Sequence, residues 1–312
     1  MNTSLVALKA QFQNGSLSKP DFIAHSLQHH RQLFEYVDIT RTTDVREIVI
    51  TPQGICFVIG DERIRLYCPE NEARVAPIEV MNFGRYEPAE TRVMDILAEG
   101  SRAILDVGAN IGLYAIRFAK CVPTAHVYAF EPLPRSNAFL QRNVAANAVG
   151  ERVTCFNYGL SDAAGTVDFF ISPTAGTNAS LKNVAGADNA RAVVGMVLTL
   201  DQWVNNQGVV PDFIKCDVEG AELLVFRGGK STLAEHHPIV FAELLRKWSK
   251  PFGYHPNDML QYFFELGYQC FAVSDSGVRA ITEVTDETPE TNYAFLHAHK
   301  HAKTIAKLVN AT

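Results

Sequence analysis

The stretch ILDVGANIGLYAIRFAK, residues 104–120, constrains the fold more than any other part of the chain. An apolar run carrying Asp106 turns sharply through Gly108, Asn110 and Gly112 and leaves as a helix. Parallel strands need such a crossover, so a strand–turn–helix unit implies a parallel sheet with helices on its faces. After Gly100 the rhythm repeats. Hydrophobic periodicity predicts strands near 103–108, 126–131, 152–159, 212–217, 238–244, 268–273 and 293–298, with helices near 111–120, 133–147, 221–233 and 256–266. This is an α/β, Rossmann-like pattern: a mostly parallel sheet covered on both sides.

Two regions depart from that rhythm. Residues 1–37 read as two short helices around NGSLSKPD, and 45–68 alternate apolar and polar residues about Pro52-Gln53-Gly54 and Gly60-Asp61, as an antiparallel meander does. A small helical and β cap over 1–85, followed by the main domain over 86–312, is the expected division. Between 160 and 205, GTVDFFIS reads as an extra strand, PTAGTNASLKNVAGADNARA as a long polar loop, and VLTLDQWV as a strand leading into a turn of helix.

Charge and cysteine usage narrow the partners. With 28 Lys and Arg against 34 Asp and Glu the net charge is −6, and no basic block stands out to neutralise phosphates, so nucleic acid is not an expected partner. Six scattered cysteines without C-x-x-C spacing suit a reducing compartment. The first residues lack a basic segment followed by an apolar one, and no apolar run is long enough to cross a bilayer. A cytoplasmic protein with no integral membrane association is the expectation; a homo-oligomer is compatible with the sequence.

A parallel sheet binds ligands at the carboxyl ends of its strands, beside the point where strand order reverses. A nicotinamide dinucleotide would want G-x-G-x-x-G there, but counting from Gly108 the second and third glycine places hold Asn110 and Leu113. An adenosyl ligand without phosphates relaxes those demands, and S-adenosyl-L-methionine is such a ligand. Its ribose needs an acid to accept from both hydroxyls, and Glu131, ending the second strand in VYAFEP, is placed for that; an acid there suits NAD equally. Further on, DFIKCDVEGAELLVFRGG delivers Asp217 and Glu219 to the crevice, where they could meet the ligand or the nucleophile. Alternatively Asp217 caps the following helix, and Glu219 and Glu222 complement its dipole; for Glu222 that reading is preferred.

Taken in order, DVGANIGLYAIRFAK, VYAFEPLPRSNAFLQRNVAANA, GLSDAAGTVDFF, TNASL, VLTLDQWV and DFIKCDVEGAELLVFRGG closely resemble the FkbM family of S-adenosylmethionine-dependent methyltransferases, from about Tyr86 to about Tyr268. The resemblance implies a class I methyltransferase sheet of seven strands, the last antiparallel, and O-methylation of hydroxyls on sugars, glycans or polyketide-type products. It also implies that Asp106, Gly108, Asn110 and Gly112 form the cofactor loop and that Glu131 binds the ribose. By the same resemblance Ser161 and Asp162 lie near adenine, Asp217 and Glu219 lie beside the reacting methyl, and Glu87 folds over the cofactor.

Removing the proton from a sugar hydroxyl calls for a base with a pKa near the working pH, and Asp217, Glu219 and Glu243 are the candidates. No metal site is assigned: His297, His299 and His301 alternate at the end of the last strand, where polar edge residues are commoner than ligands, although Asp217, Glu219 and Glu243 could supply hard oxygens to a divalent ion. Tyr254 and His255 follow the fifth strand on a loop that could reach the acceptor, and Trp248 could stack on a sugar ring. The competing readings are an NAD-dependent oxidoreductase or epimerase, against which the broken glycine pattern weighs, and a cofactor-binding module without catalysis.

Overall fold

The computed structural model describes residues 3–172, 175–182 and 191–310. Its central sheet has eight strands in the order Gly277–Ile281, Tyr268–Ser274, Asn292–His297, Ile239–Glu243, Phe213–Cys216, Ala103–Val107, His126–Phe130, Val153–Phe156. The last five in that order are mutually parallel. Asn292–His297 runs antiparallel between two neighbours, as the class I methyltransferase sheet requires. The eighth strand, Gly277–Ile281, is an edge hairpin partner of Tyr268–Ser274 that the sequence reading did not include. Strand order reverses between Ala103–Val107 and Phe213–Cys216, so the crevice opens where the Gly108 turn and the Asp217 loop leave the sheet.

Side chains alternate along these strands and feed two cores, one on each face. Ile104, Phe213 and Phe241 point into a layer with Leu97 and Phe118, while Leu105, Ile214 and Val240 point into the opposite layer with Trp203, Phe226 and Phe263.

The predicted meander is present as Val45–Thr51, Gly54–Ile59 and Ile64–Tyr67. Its Phe57, Ile64 and Leu66 belong to the same core as Phe118. The free edge of Ile64–Tyr67 is covered by two amide side chains on and just after the helix Pro134–Ala146. Asn143 bonds both the N–H and the carbonyl of Tyr67, and Asn147 does the same for Arg65. Two side chains thus replace a paired strand. Ahead of the meander lie Leu5–Gln13 and Lys19–Thr42, joined by stacked Phe12 and Phe22 rings. The second helix is 24 residues long rather than short.

The region after the third central strand also differs from its expectation. Gly159–Leu160, Gly165–Ser172, Ala175–Ser180 and Arg191–Leu198 form a second, four-stranded sheet. Much of the expected long loop is therefore strand; residues 173–174 and 183–190 lie outside the described residues. Leu200–Gln207 is a full helix, started by a capping box between Thr199 and Gln202. The helix expected over 221–233 is two, Glu222–Arg227 and Lys230–His236, because Gly228 and Gly229 pass so close to Ser161 and Leu200 that neither has room for a Cβ. The segment after the last strand ends in a helix, Ala302–Asn310. Among the described residues no helix is long and apolar enough to cross a membrane.

Candidate active site

Two turns meet at the switch point. Gly108 has φ +82°, its N–H and that of Ala109 bond the carbonyl of Phe130, and a Cβ built on it would lie 1.8 Å from the carbonyl oxygen of Asp217. Only glycine permits both the left-handed backbone and that contact. Gly112, at φ +97°, passes under Leu140, where a Cβ would meet Cδ1 at 2.6 Å. Between them Asn110 adopts φ +49° and donates its N–H to Glu131 Oε2 at 2.9 Å. Glu131 Oε1 accepts from the Leu133 N–H at 2.9 Å. One carboxylate thereby fixes the loops after the first two strands, and each of its oxygens keeps a lone pair for a further donor.

These loops line a cavity of about 260 Å³ that also includes Glu87, Tyr114, Lys215, Asp217, Glu219 and Glu243. Lys215 is buried and bridges neighbouring strands, 3.7 Å from Asp106 and 3.3 Å from Asp217. Burial opposes its charge, but Asp217 and Asp106 hold the ammonium above its ordinary range. Asp106 is fully buried, and neither of its oxygens has a hydrogen-bond partner. It lies beneath the cavity and reaches it through Lys215 rather than lining it.

The acids in the wall are held in an unfavourable setting. Burial pushes Glu87 and Glu131 each up to about 7, against the hydrogen bonds that favour their ionised forms. Glu219 and Glu243 are driven higher, first by burial and then by Asp217, with Glu222 adding to the rise of Glu219 and Glu219 to that of Glu243. Three non-glycine residues of the cavity, Glu87, Asn110 and Glu219, have positive φ. Such strain persists only where the surroundings over-determine it. For Glu87 the anchor is a hydrogen bond from the Tyr114 hydroxyl. For Glu219 the Ser180 hydroxyl, from the second sheet, donates to its carbonyl at 2.8 Å. Glu222 builds the same turn: it is buried, accepts from the N–H groups of Val218 and Gly220, and is bonded by the Tyr254 hydroxyl.

Most of the sequence candidates converge here; several do not. Ser161 and Asp162 are absent from the cavity wall, where Gly159 and Leu160 appear instead. The Ser161 N–H and carbonyl are taken up against Leu198 and Gly228, and Asp162 is exposed. Tyr254 is tied under the Glu222 turn, and His255 caps the helix Pro256–Glu265, so neither reaches the cavity. Trp248 does line it. His297 and His301 each accept a backbone N–H through Nδ1. Among the described residues no group of three or more His, Cys, Asp or Glu is arranged to hold a metal.

The sequence reading placed Glu87 at the site but missed the rest of the wall supplied by residues 74–86, including Arg74, Glu79, Arg85 and Tyr86. Arg74 and Arg85 flank a short helix, Ala76–Phe83, and single polar residues at its ends leave no periodic signal. Tyr114 left one, a phenol on the core face of a helix; Lys215, a lysine within an otherwise apolar strand, belongs to the stretch already read as reaching the crevice.

The cavity suits a phosphate-free adenosyl donor on its own features. The Gly108 cradle admits close approach, Glu131 has lone pairs to spare, the buried Asn110 Oδ1 has no partner, and carboxylates surround the place a cation would occupy.

Residues 106–270 match the family described as Methyltransferase FkbM domain. Methyltransferase sdnD of Sordaria araneosa is 31% identical over 181 residues, 49% of this chain and 68% of that protein. The 2-O-methyltransferase NoeI of Sinorhizobium fredii is 30% identical over 158 residues, covering 46% and 64%. The hexuronic acid methyltransferase AglP of Haloferax volcanii is 33% identical over 137 residues, covering 44% and 53%. The chain thus spans 53% to 68% of the length of these relatives.

Proposed function

The chain belongs to the FkbM methyltransferase family, and from that premise we propose that it is an S-adenosyl-L-methionine-dependent O-methyltransferase acting on a hydroxyl of a sugar, glycan or glycosylated natural product. The observation that carries this reading is the set of three carboxylates, Asp217, Glu219 and Glu243, in one cavity with the Gly108–Glu131 cradle. The names of two relatives, a 2-O-methyltransferase and a hexuronic acid methyltransferase, support a saccharide acceptor.

Bound in the cradle, the donor would supply an electrophilic methyl group; the remaining tasks fall to the chain. Glu131 accepts from the ribose hydroxyls, and Glu87, with Asp217, faces the positive charge. Lys215, paired across the strand gap with Asp106, holds Asp217 in place at the end of its own strand. The acceptor hydroxyl lies against Glu219 and Glu243, and one of these takes its proton as the new bond forms. Burial, reinforced by the nearby Asp217, leaves at least one able to bind a proton near neutral pH, as a general base needs.

Radiolabelled methyl transfer to a panel of oligosaccharide and glycosylated acceptors, with calorimetry on S-adenosylhomocysteine, tests the reading. Binding of that product and labelling of a saccharide support it; binding of a nicotinamide dinucleotide in its place overturns it. Asp217→Asn is expected to lower turnover about 100-fold while changing product affinity less than about 10-fold.

A further inference from the structure

The outer wall of the cavity carries two arginines in a shared arrangement. Arg74 is fixed by an ion pair from its Nε to Glu79 at 2.8 Å, and Arg85 by one from its Nε to Asp44 at 3.6 Å. Their side chains remain 66% and 71% exposed, whereas the Glu79 and Asp44 side chains are 17% and 30% exposed. Each guanidinium is therefore anchored from behind. Among the described residues no hydrogen bond engages the Nη edge of either, the edge that grips a carboxylate or phosphate with two parallel bonds. Both residues line the cavity, and Arg74 is near enough to Glu219 for its charge to oppose the rise of that carboxyl. Trp248 also lines the cavity and offers an apolar surface for a ring. The donor's own carboxylate has a separate counterpart in the N-terminal end of the helix Leu113–Cys121.

We propose that the acceptor is an anionic saccharide, its carboxylate or phosphate held by the Nη edges of Arg74 and Arg85 at the cavity mouth. This rests on the saccharide methyl-transfer reading above and goes further in naming the charge that selects the acceptor. The anion stays at the rim while the hydroxyl reaches inward to Glu219 and Glu243, so the positive rim offsets the repulsion a negative acceptor would meet from the acidic floor.

The test measures binding of p-nitrophenyl β-D-glucuronide, p-nitrophenyl β-D-glucoside and glucose 1-phosphate to the full chain saturated with S-adenosylhomocysteine. The glucuronide is expected to bind at least ~10-fold more tightly than the glucoside at low salt, with the gap narrowing as salt screens the rim. Glucose 1-phosphate sharing the preference identifies a general oxyanion site; the glucuronide alone identifies a planar carboxylate site. In R74Q/R85Q the glucuronide-to-glucoside ratio should fall to within about 2-fold. Equal binding of the two glycosides to the unmodified protein overturns the proposal and leaves the saccharide reading standing. Loss of S-adenosylhomocysteine affinity in R74Q/R85Q also overturns it, assigning the arginines to the donor. Failure of every sugar to bind while S-adenosylhomocysteine does removes the saccharide reading as well.

Discussion

Gly108 and Asp217 sit on different crossovers yet share one space, and that contact makes the smallest possible substitution informative. Adding a methyl group in Gly108→Ala would force the two loops apart as well as straining a backbone at φ +82°. S-adenosylhomocysteine affinity is expected to fall at least ~100-fold, read by calorimetry, with a melting temperature several degrees lower. Glu131 tests a different link. Glu131→Gln keeps the shape but exchanges one acceptor for a donor that faces the N–H of Asn110 or Leu133. About a 10-fold loss of affinity is expected, with the melting temperature falling less than for Gly108→Ala. The glycine turn and Glu131 were readable in the sequence because each imposes a residue type at a fixed place. Asp106 was readable as a residue of the turn but not in its depth, since a buried acid and a cavity-lining acid look alike until the neighbouring strand places Lys215 between it and the cavity.

At the scale of elements, the parallel strands were legible to within a few residues because burial on both faces leaves an unbroken apolar run. The strand Gly277–Ile281 was not: it is an edge, with Arg279 and Ala280 exposed, so its pattern is weak. The helix Leu200–Gln207 was legible only as a single turn because an apolar strand runs directly into it, although Thr199 and Gln202 carry the spacing of a capping box and could have revealed its full start. The second sheet was missed for a chemical reason, since Ala175–Ser180 is built of small and polar residues that read as a loop. Its last residue touches the site through Ser180 and the Glu219 carbonyl, and Lys182, just beyond, bonds the Pro251 carbonyl. If this strand braces the Glu219 turn, Ser180→Ala should lower kcat about 3- to 10-fold and leave S-adenosylhomocysteine affinity within about 2-fold, measured by methyl transfer and calorimetry. An equal loss in both measurements would instead mean that the whole cavity had loosened.

For the whole molecule, the acids of the cavity make stability depend on pH in a stated direction. Glu87, Glu131 and Glu222 are each raised from 4.5 to about 7 by burial, so the folded chain binds more protons than the unfolded one between those values. Their contribution is fully present below about pH 4.5 and is lost as pH rises through about 7; Glu219 and Glu243 extend the loss to higher pH. The ligand-free protein is expected to lose several degrees of melting temperature between pH 6 and pH 9, and Glu243→Gln to recover part of it at pH 9. Scanning calorimetry across that range checks both. A separate consequence follows from the mixed parentage of the cavity. Its floor comes from the carboxyl ends of the central strands, whereas the wall with Arg74 and Arg85 comes from the chain ahead of them, whose meander is sealed into the core beside Phe118 and clasped by Asn143 and Asn147. Exchanging this leading segment between relatives should transplant the choice of acceptor while leaving the methyl donor unchanged. Such a chimaera would fold only if the two asparagines and their apolar neighbours travelled with the graft.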